Sequence, residues 1–346
     1  MKSASPPLTS TLATLVEGRS LSEQEAGELL LALTEPALAP ALAGALLAAL
    51  NVKGVSAAEL RGFTRGMRAL ARRPELPDVG ATVDVVGTGG DASHSFNLST
   101  GSALLAVAAG ASVVKHGNRS VSSRCGSADL IEALGLELPL DERAAGACLA
   151  ATGFTFLYAP YYHPAMKAIA PVRAALGIRT VFNLLGPLTN PATPPYHVIG
   201  AYSREAARLM AETLAGLPLG RAFVVHGEPG WDEPTPAGPF VLYDVRPGEW
   251  RESTRSAEDY GLPACRPGEL VGGDALHNAA ALGEVFAGRE RGPHRDALVM
   301  GAALALEVTG LVLDARAGAE RAAQAIDTGA ASAVVARLAA FARGTG

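Results

Sequence analysis

Three short stretches hold residues whose types and spacing suit the binding of anions. Gly87-Thr88-Gly89-Gly90-Asp91 places three glycines directly after an apolar, β-branched run, Val83 to Val86. Glycines let the backbone turn tightly and bring its amides against a ligand. Alone this is a weak signal, because most glycine clusters are only turns. The second stretch, Lys115-His116-Gly117-Asn118-Arg119-Ser120-Val121-Ser122-Ser123, with Ser127 just beyond, opens from another β-branched run. It adds two cations and several hydroxyls, which a merely solvated loop does not need. Two such loops suit a ligand with two separated anionic groups. The third stretch, Asp232-Glu233, lies in a Gly- and Pro-rich loop. An adjacent acidic pair is commonly plain surface. On the same edge as bound phosphates it would repel them unless a divalent cation bridged the two, and hard carboxylate and phosphate oxygens both suit Mg²⁺. Ser99 offers a further hydroxyl there. Arg173, between Pro171 and Gly177, is either a surface arginine or a bidentate partner for a carboxylate. His116 and His163 flank the same region, as packed histidines or as bases. No Ser-His-Asp order or Cys-His pairing points to covalent catalysis.

The elements around these residues would hold them on one side. Val83–Val86 reads as a strand, Leu98–Ala109 as a helix that Asn97 or Ser99 can cap and Gly110 can end, and Ser112–Lys115 as a second strand. Ser127 is placed to cap a helix through Leu134, with Gly135 ending it. If the strands are parallel neighbours, both loops lie at their carboxyl ends, where open α/β sheets bind ligands. Further strands are expected at Phe154–Tyr158, His197–Tyr202 and Ala222–His226, and a hairpin over 238–252 turning at Pro247-Gly248. Before the first loop come four expected helices, Leu12–Val16, Glu23–Leu33, Pro40–Leu50 and Ala57–Leu70. Ser22/Glu25 and Ser56/Glu59 are spaced as capping boxes. Helices are expected again at 141–152, 165–176 and 204–215, and from 274 to the end.

The fold class expected is α/β: a small, mostly helical domain and a larger domain with a central, mostly parallel sheet. The small domain would cover 1–77, with 165–190 packing into it. The large one would cover 81–160 and 195–346. The chain of 346 residues is 49 % hydrophobic but only 5 % aromatic, so Ala, Leu and Val must build the core. A net charge of -5 argues against a wide nucleic-acid or anionic-membrane surface. Cys125, Cys148 and Cys265 are too far apart to suggest a zinc cluster or a disulfide framework. No secretory signal or membrane span stands out, which points to a cytoplasmic protein.

Four long motifs, GTGGDASHSFNLST, KHGNRSVSSRCGSADLIEALG, YHPAMKAIAPVRAALGIRTVFNLLGPLTNP and GWDE, resemble in order and spacing those of the anthranilate phosphoribosyltransferase family. The resemblance runs from about Leu12 into the C-terminal helices. It implies the transfer of a phosphoribosyl group from 5-phosphoribosyl 1-pyrophosphate to the amine of anthranilate, with release of pyrophosphate, in tryptophan synthesis. It carries the sugar-diphosphate site onto Gly87, Gly90, Asp91, Ser95, Asn97, Leu98, Ser99, Thr100, Lys115, His116, Gly117, Asn118, Arg119, Ser120, Val121, Ser122, Ser123 and Ser127. Anthranilate would meet Gly87, Asn118 and Arg173, with His116, His163 and Pro187 as walls. Ser99, Asp232 and Glu233 would hold Mg²⁺, as two ions, and no residue is singled out as catalytic. A homodimer through the small domain is also implied, and neither nucleic acid nor membrane is an expected partner. The chain departs from the family's pattern at Ser95, Trp231, Pro234 and Gly301. A pyrimidine nucleoside phosphorylase and a non-catalytic, nucleic-acid-binding relative are the alternatives. The first needs no acidic metal pair, and the second needs a basic cleft.

Overall fold

The computed structural model describes every residue except 1–6, 92, 94, 121–123, 229, 345 and 346. Val121, Ser122 and Ser123, expected in the second anion loop, therefore lie outside the described residues. Four helices open the chain: α1 (Leu8–Val16), α2 (Glu23–Leu33), α3 (Pro40–Lys53) and α4 (Ala57–Leu70). Both capping boxes form. Ser22 Oγ accepts from Glu25 N at 3.2 Å and Glu25 accepts from Ser22 N at 2.8 Å. Ser56 and Glu59 pair at the same two distances.

The α/β part then runs β1 (Thr82–Gly87), α5 (Leu98–Ala108), β2 (Ser112–Gly117), α6 (Ser127–Ala133), α7 (Glu142–Thr152), β3 (Phe154–Tyr158), α8 (Ala159–Tyr162), α9 (Met166–Leu176), α10 (Phe182–Leu185), β4 (Tyr196–Gly200), α11 (Arg204–Ala215) and β5 (Arg221–Gly227). A hairpin of β6 (Phe240–Arg246) and β7 (Glu249–Arg255) follows, then α12 (Ala275–Phe286), α13 (Pro293–Val308), α14 (Ala315–Asp327) and α15 (Ala330–Ala342). The strands form one sheet in the order β3-β2-β1-β4-β5-β6-β7. The first five are parallel, and β6 and β7 run antiparallel. The chain leaves β1 toward β2 and β3, then crosses back to β4 on the other side. The crevice between the ends of β1 and β4 is thus the topological switch point, where such sheets take their ligands.

Side chains alternate along the strands and feed two cores. Val83, Val85, Val113, Val198, Phe223 and Val225 face a layer that includes α5, α12, α13, α14 and α15. Ile199, Val224, Val241 and Tyr243 face α11, and that core continues without a break through α1, α2, α3, α4, α9 and α10. The helical part therefore shares its core with one face of the sheet. The short helices α8 and α10 and the 3-10 turns at Ala257–Tyr260 and Pro267–Leu270 carried no periodic signal in the sequence. Strand β4 ends two residues earlier than expected, because Tyr202 N leaves the ladder to donate to Thr88 Oγ1 at 3.0 Å. Among the described residues no single helix is long and apolar enough to cross a membrane.

Candidate active site

The loop after β1 is held down by the acidic loop after β5. Gly89 N donates to Asp232 Oδ2 at 2.6 Å, and Asp232 N donates to Asp91 Oδ2 at 3.2 Å. This contact needs a bare floor. A Cβ at Gly87 would fall 2.4 Å from Asp232 Oδ2, and one at Gly200, its partner across the β1–β4 ladder, 1.6 Å from Asp232 O. The two glycines are thus where they are because another backbone lies on them. Glu233 reaches α5, accepting from Ser99 N at 3.2 Å. Asp91, Asp232 and Glu233 so converge in one corner. Burial, then the charge of Asp91, raises the Asp232 carboxyl to about 7. Burial, then the charge of Asp232, pushes Glu233 well above its ordinary range.

Lys115 is the cation of this corner. It is 1 % exposed, and its Nζ donates to Val85 O and, at 3.3 Å, to Ser99 Oγ. Burial lowers its pKa, while Asp84, Glu233 and Asp232 pull it back up. Asp84 lies beneath, fully buried, accepting from Asn190 Nδ2 at 2.8 Å and His116 N at 3.2 Å. Burial raises its carboxyl to about 6, against the opposing pull of Lys115 and Asn190. Asn190 Nδ2 also donates to Val114 O at 2.8 Å, so one amide ties the segment after α10 to β2. Sequence reading missed both residues. Asp84 hides inside an apolar run, and Asn190 looks like a turn residue before Pro191. A carboxylate inside a buried strand was the available signal.

Two histidines line the same cleft. His116 Nδ1 donates to Gly186 O at 3.1 Å, which leaves Nε2 as a bare acceptor without a partner among the described residues. The rings of His116 and His163 meet edge to face with centroids 5.0 Å apart. Burial takes them down to about 3 and about 4, so both are neutral. Arg173 is half-buried, with its guanidinium 5.1 Å from the centre of the Phe182 ring and no anionic partner among the described residues. Arg179, not assigned from the sequence, donates to Gly90 O and lies 4.0 Å from the centre of the Tyr202 ring. It closes the rim between the α9–α10 segment and the first loop.

Two expectations are corrected locally. Gly126 rather than Ser127 is the N-cap of α6; the carboxylate of Asp129 accepts from Gly126 N at 2.8 Å and Ser120 N at 3.1 Å, while Ser127 Oγ donates to Asn118 O. Ser127 is already the first helical residue, and its hydroxyl is spent on Asn118 O rather than on a first-turn amide. Leu98 turns its side chain into the core, 2 % exposed, so only its backbone is at hand. Arg119 is already engaged by Asp129 at 3.2 Å and Glu132 at 2.6 Å. Gly87, Gly90, Asp91, Ser95, Asn97, Ser99, Thr100, Lys115, His116, Gly117, Asn118, Arg119, Ser120, Ser127, His163, Arg173, Pro187, Asp232 and Glu233 all line one cleft of about 890 Å³.

Residues 79–332 match the α/β domain of a glycosyl transferase family, and residues 9–71 its helical bundle domain. A relative named anthranilate phosphoribosyltransferase from Rubrobacter xylanophilus is 44 % identical, over 96 % of each chain. The crystal structure of anthranilate phosphoribosyltransferase from Thermus thermophilus superposes with a TM-score of 0.90 at 40 % identity, covering 96 % of this chain and 99 % of that one. The Saccharomyces cerevisiae enzyme, in complex with PRPP and Mg, gives 0.89 at 25 % identity, covering 97 % and 98 %; its complex with 4-fluoroanthranilate gives 0.87 over the same shares. With both domains matched and nearly the whole length covered, this chain belongs to the anthranilate phosphoribosyltransferase family.

Proposed function

We propose that this chain joins anthranilate to the phosphoribosyl group of 5-phosphoribosyl 1-pyrophosphate, releasing pyrophosphate, as a step of tryptophan synthesis. The carrying observation is one cleft lined by two chemically distinct sets of groups. One set is the loops after β1 and β2, the α5 N-terminus and the carboxylate corner. The other is Arg173, without an anionic partner among the described residues, and two neutral histidines. The first set suits a sugar bearing phosphate and diphosphate, and the second an aromatic carboxylate.

The acidic corner fits a divalent cation. Asp232 is buried and Asp91 and Glu233 are partly buried beside it, and desolvation and mutual repulsion drive the carboxyl pKa values of Asp232 and Glu233 up although Lys115 is near. Among the described residues no group of three or more His, Cys, Asp and Glu side chains is arranged to hold a metal ion by itself. That suits Mg²⁺, which keeps waters and takes substrate phosphates rather than a complete protein cage. Ser99, Asp232 and Glu233 are the proposed ligands, for two ions. When bound, the metal neutralises the diphosphate and so stabilises it as a leaving group.

The chain's own groups do the rest. Lys115 and the amides of the two loops face the departing charge. Arg173 and Asn118 orient anthranilate so that its nitrogen approaches C1 of the ribose. The N–C1 bond forms as the C1–O bond breaks, through an oxocarbenium-like centre, and the attacking nitrogen loses one proton. That nitrogen becomes acidic as it bonds, so no strong base is needed. The neutral His116 Nε2 offers only an acceptor at the wall. The domain division at 1–77 with 165–190, a homodimer through the helical part and a cytoplasmic location complete the reading. Exposed Val16, Leu31 and Val52 on the helical part support the second copy.

Anthranilate fluorescence followed with purified protein tests the activity. It should fall only when 5-phosphoribosyl 1-pyrophosphate and Mg²⁺ are both present, and EDTA should stop it. The double substitution D232A/E233A should abolish most turnover. Unchanged Mg²⁺ dependence in that variant would refute the metal assignment, and persistent fluorescence with folded wild-type protein would refute the reaction.

A further inference from the structure

Asn278 lies on the first turn of α12, outside the two anion loops and the acidic loop. It is 1 % exposed, and its side chain leads to both anion loops. Asn278 Oδ1 accepts from Gly273 N at 2.7 Å. Its Nδ2 donates to Asn97 Oδ1 at 2.8 Å and to Gly273 O at 3.4 Å. Asn97 Nδ2 in turn donates to Cys125 O at 3.1 Å. The relay starts at a backbone donor and ends at a backbone acceptor. Each carboxamide therefore has one orientation that satisfies both its ends.

The consequence falls on α5. Asn97 is its N-cap, and asparagine is among the best capping residues, yet its own side chain makes no capping bond to this helix. The carboxamide that would make it is drawn across to the second loop. The first-turn amide of Ser99 is met instead by Glu233 at 3.2 Å, in the carboxylate corner. The same loop is tied to the segment before α12 at two more points, Phe96 N to Leu270 O at 2.9 Å and the bridge between Ser95 and Val271. Asn278 is the polar end of that seam.

We infer that Asn278 is a positioning residue for 5-phosphoribosyl 1-pyrophosphate. It fixes the Asn97 carboxamide between the loops after β1 and β2 and so sets the spacing of the two loops. The inference rests on the activity proposed above. Steady-state kinetics of N278A on the full-length protein test it, with both substrates varied and the melting temperature recorded. The KM for 5-phosphoribosyl 1-pyrophosphate should rise roughly 5- to 30-fold, the scale of a lost buried hydrogen bond, while the KM for anthranilate stays close to wild type. N278D, of the same shape, places an oxygen opposite Asn97 Oδ1 and should act alike; it carries the test if N278A does not fold. N97A combined with N278A should be little worse than N97A alone. Unchanged KM values, an equal rise for both substrates, or additive effects in the double variant would overturn the inference. Failure of the wild-type protein to consume anthranilate would instead overturn the activity on which it rests.

Discussion

Arg173 is a half-buried guanidinium with an aromatic ring beneath it and no anion beside it among the described residues. Burial lowers its pKa slightly, but an arginine stays charged, so the site carries an uncompensated cation waiting for a carboxylate. Losing a charge-assisted pair should cost more than losing a neutral hydrogen bond. Arg173→Ala is therefore expected to raise the KM for anthranilate by about 10- to 100-fold, with the KM for 5-phosphoribosyl 1-pyrophosphate little changed. Initial rates with each substrate varied in turn check this, and an effect confined to the sugar diphosphate would show that Arg173 serves the other substrate. Arg119 is the contrast. Its charge is already taken by Asp129 and Glu132, so it holds α6 to the second loop as it stands. The sequence set Arg119 in an anion loop and left Arg173 as either surface or ligand; their partners in the structure separate the two roles.

Among the elements, α5 and α13 decide how firmly the phosphate loops are backed. α13 is buried from Ala297 to Leu306, and it lies against α5 at Gly301. A Cβ there would fall 2.2 Å from Ser102 Oγ, whose hydroxyl donates to Leu298 O at 3.2 Å. The glycine that departs from the family's pattern is thus a packing requirement of this particular pair. Gly301→Ala should destabilise by about 1–3 kcal/mol through overpacking. Gly283→Ala is the matched control, since α12 is exposed there and nothing lies within 4 Å of the added Cβ. It should stabilise by about 0.5–1 kcal/mol, as an exposed helical Gly→Ala change does. Urea unfolding of the two variants measures both signs, and a neutral G301A would mean that the two helices can separate freely.

At the scale of the whole molecule, buried titratable groups of opposite kind share one pH window. His116, His163 and His197 are pushed by burial down to about 3, about 4 and about 3. The unfolded chain takes up a proton at each near 6.5 and the folded chain does not, so their contribution is complete above that pH and is lost as pH falls. Asp84, Asp232 and Asp296, raised to about 6, about 7 and about 6, act in the other sense, because the folded state binds protons that the unfolded state has released. The two sets offset each other between pH 4 and pH 6.5. Removing one histidine should tip the balance. His197 is 2 % exposed and outside the cleft lining, so it can be changed without touching the chemistry. Between pH 6.5 and 5 it costs at most about 2 kcal/mol of stability, at 1.36 kcal/mol per pKa unit. His197→Asn should therefore lose less stability than wild type over that interval. Parallel stability-versus-pH curves for the two proteins would rule this out.

The order of strands and helices, both capping boxes and most of the cleft lining were legible in the sequence, because each rests on local rules. Alternating or continuous apolar runs mark strands, Ser-x-x-Glu marks a helix start, and clustered Gly, Ser, Lys and Arg after a strand mark an anion loop. What the sequence did not contain were the long-range contacts. The switch point between β1 and β4, the bare floor under Asp232, the burial of Asp84 against Asn190 and the reach of Asn278 to Asn97 join residues far apart in the chain. Even the cap of α6 was misassigned, since the helix starts at Ser127 itself and the loop carbonyl of Asn118, far outside the local pattern, takes its hydroxyl. Local composition determined which groups could bind phosphate, metal and carboxylate. The tertiary structure decided which of them meet, because burial and partner, not residue type, set the charge and the freedom of each side chain.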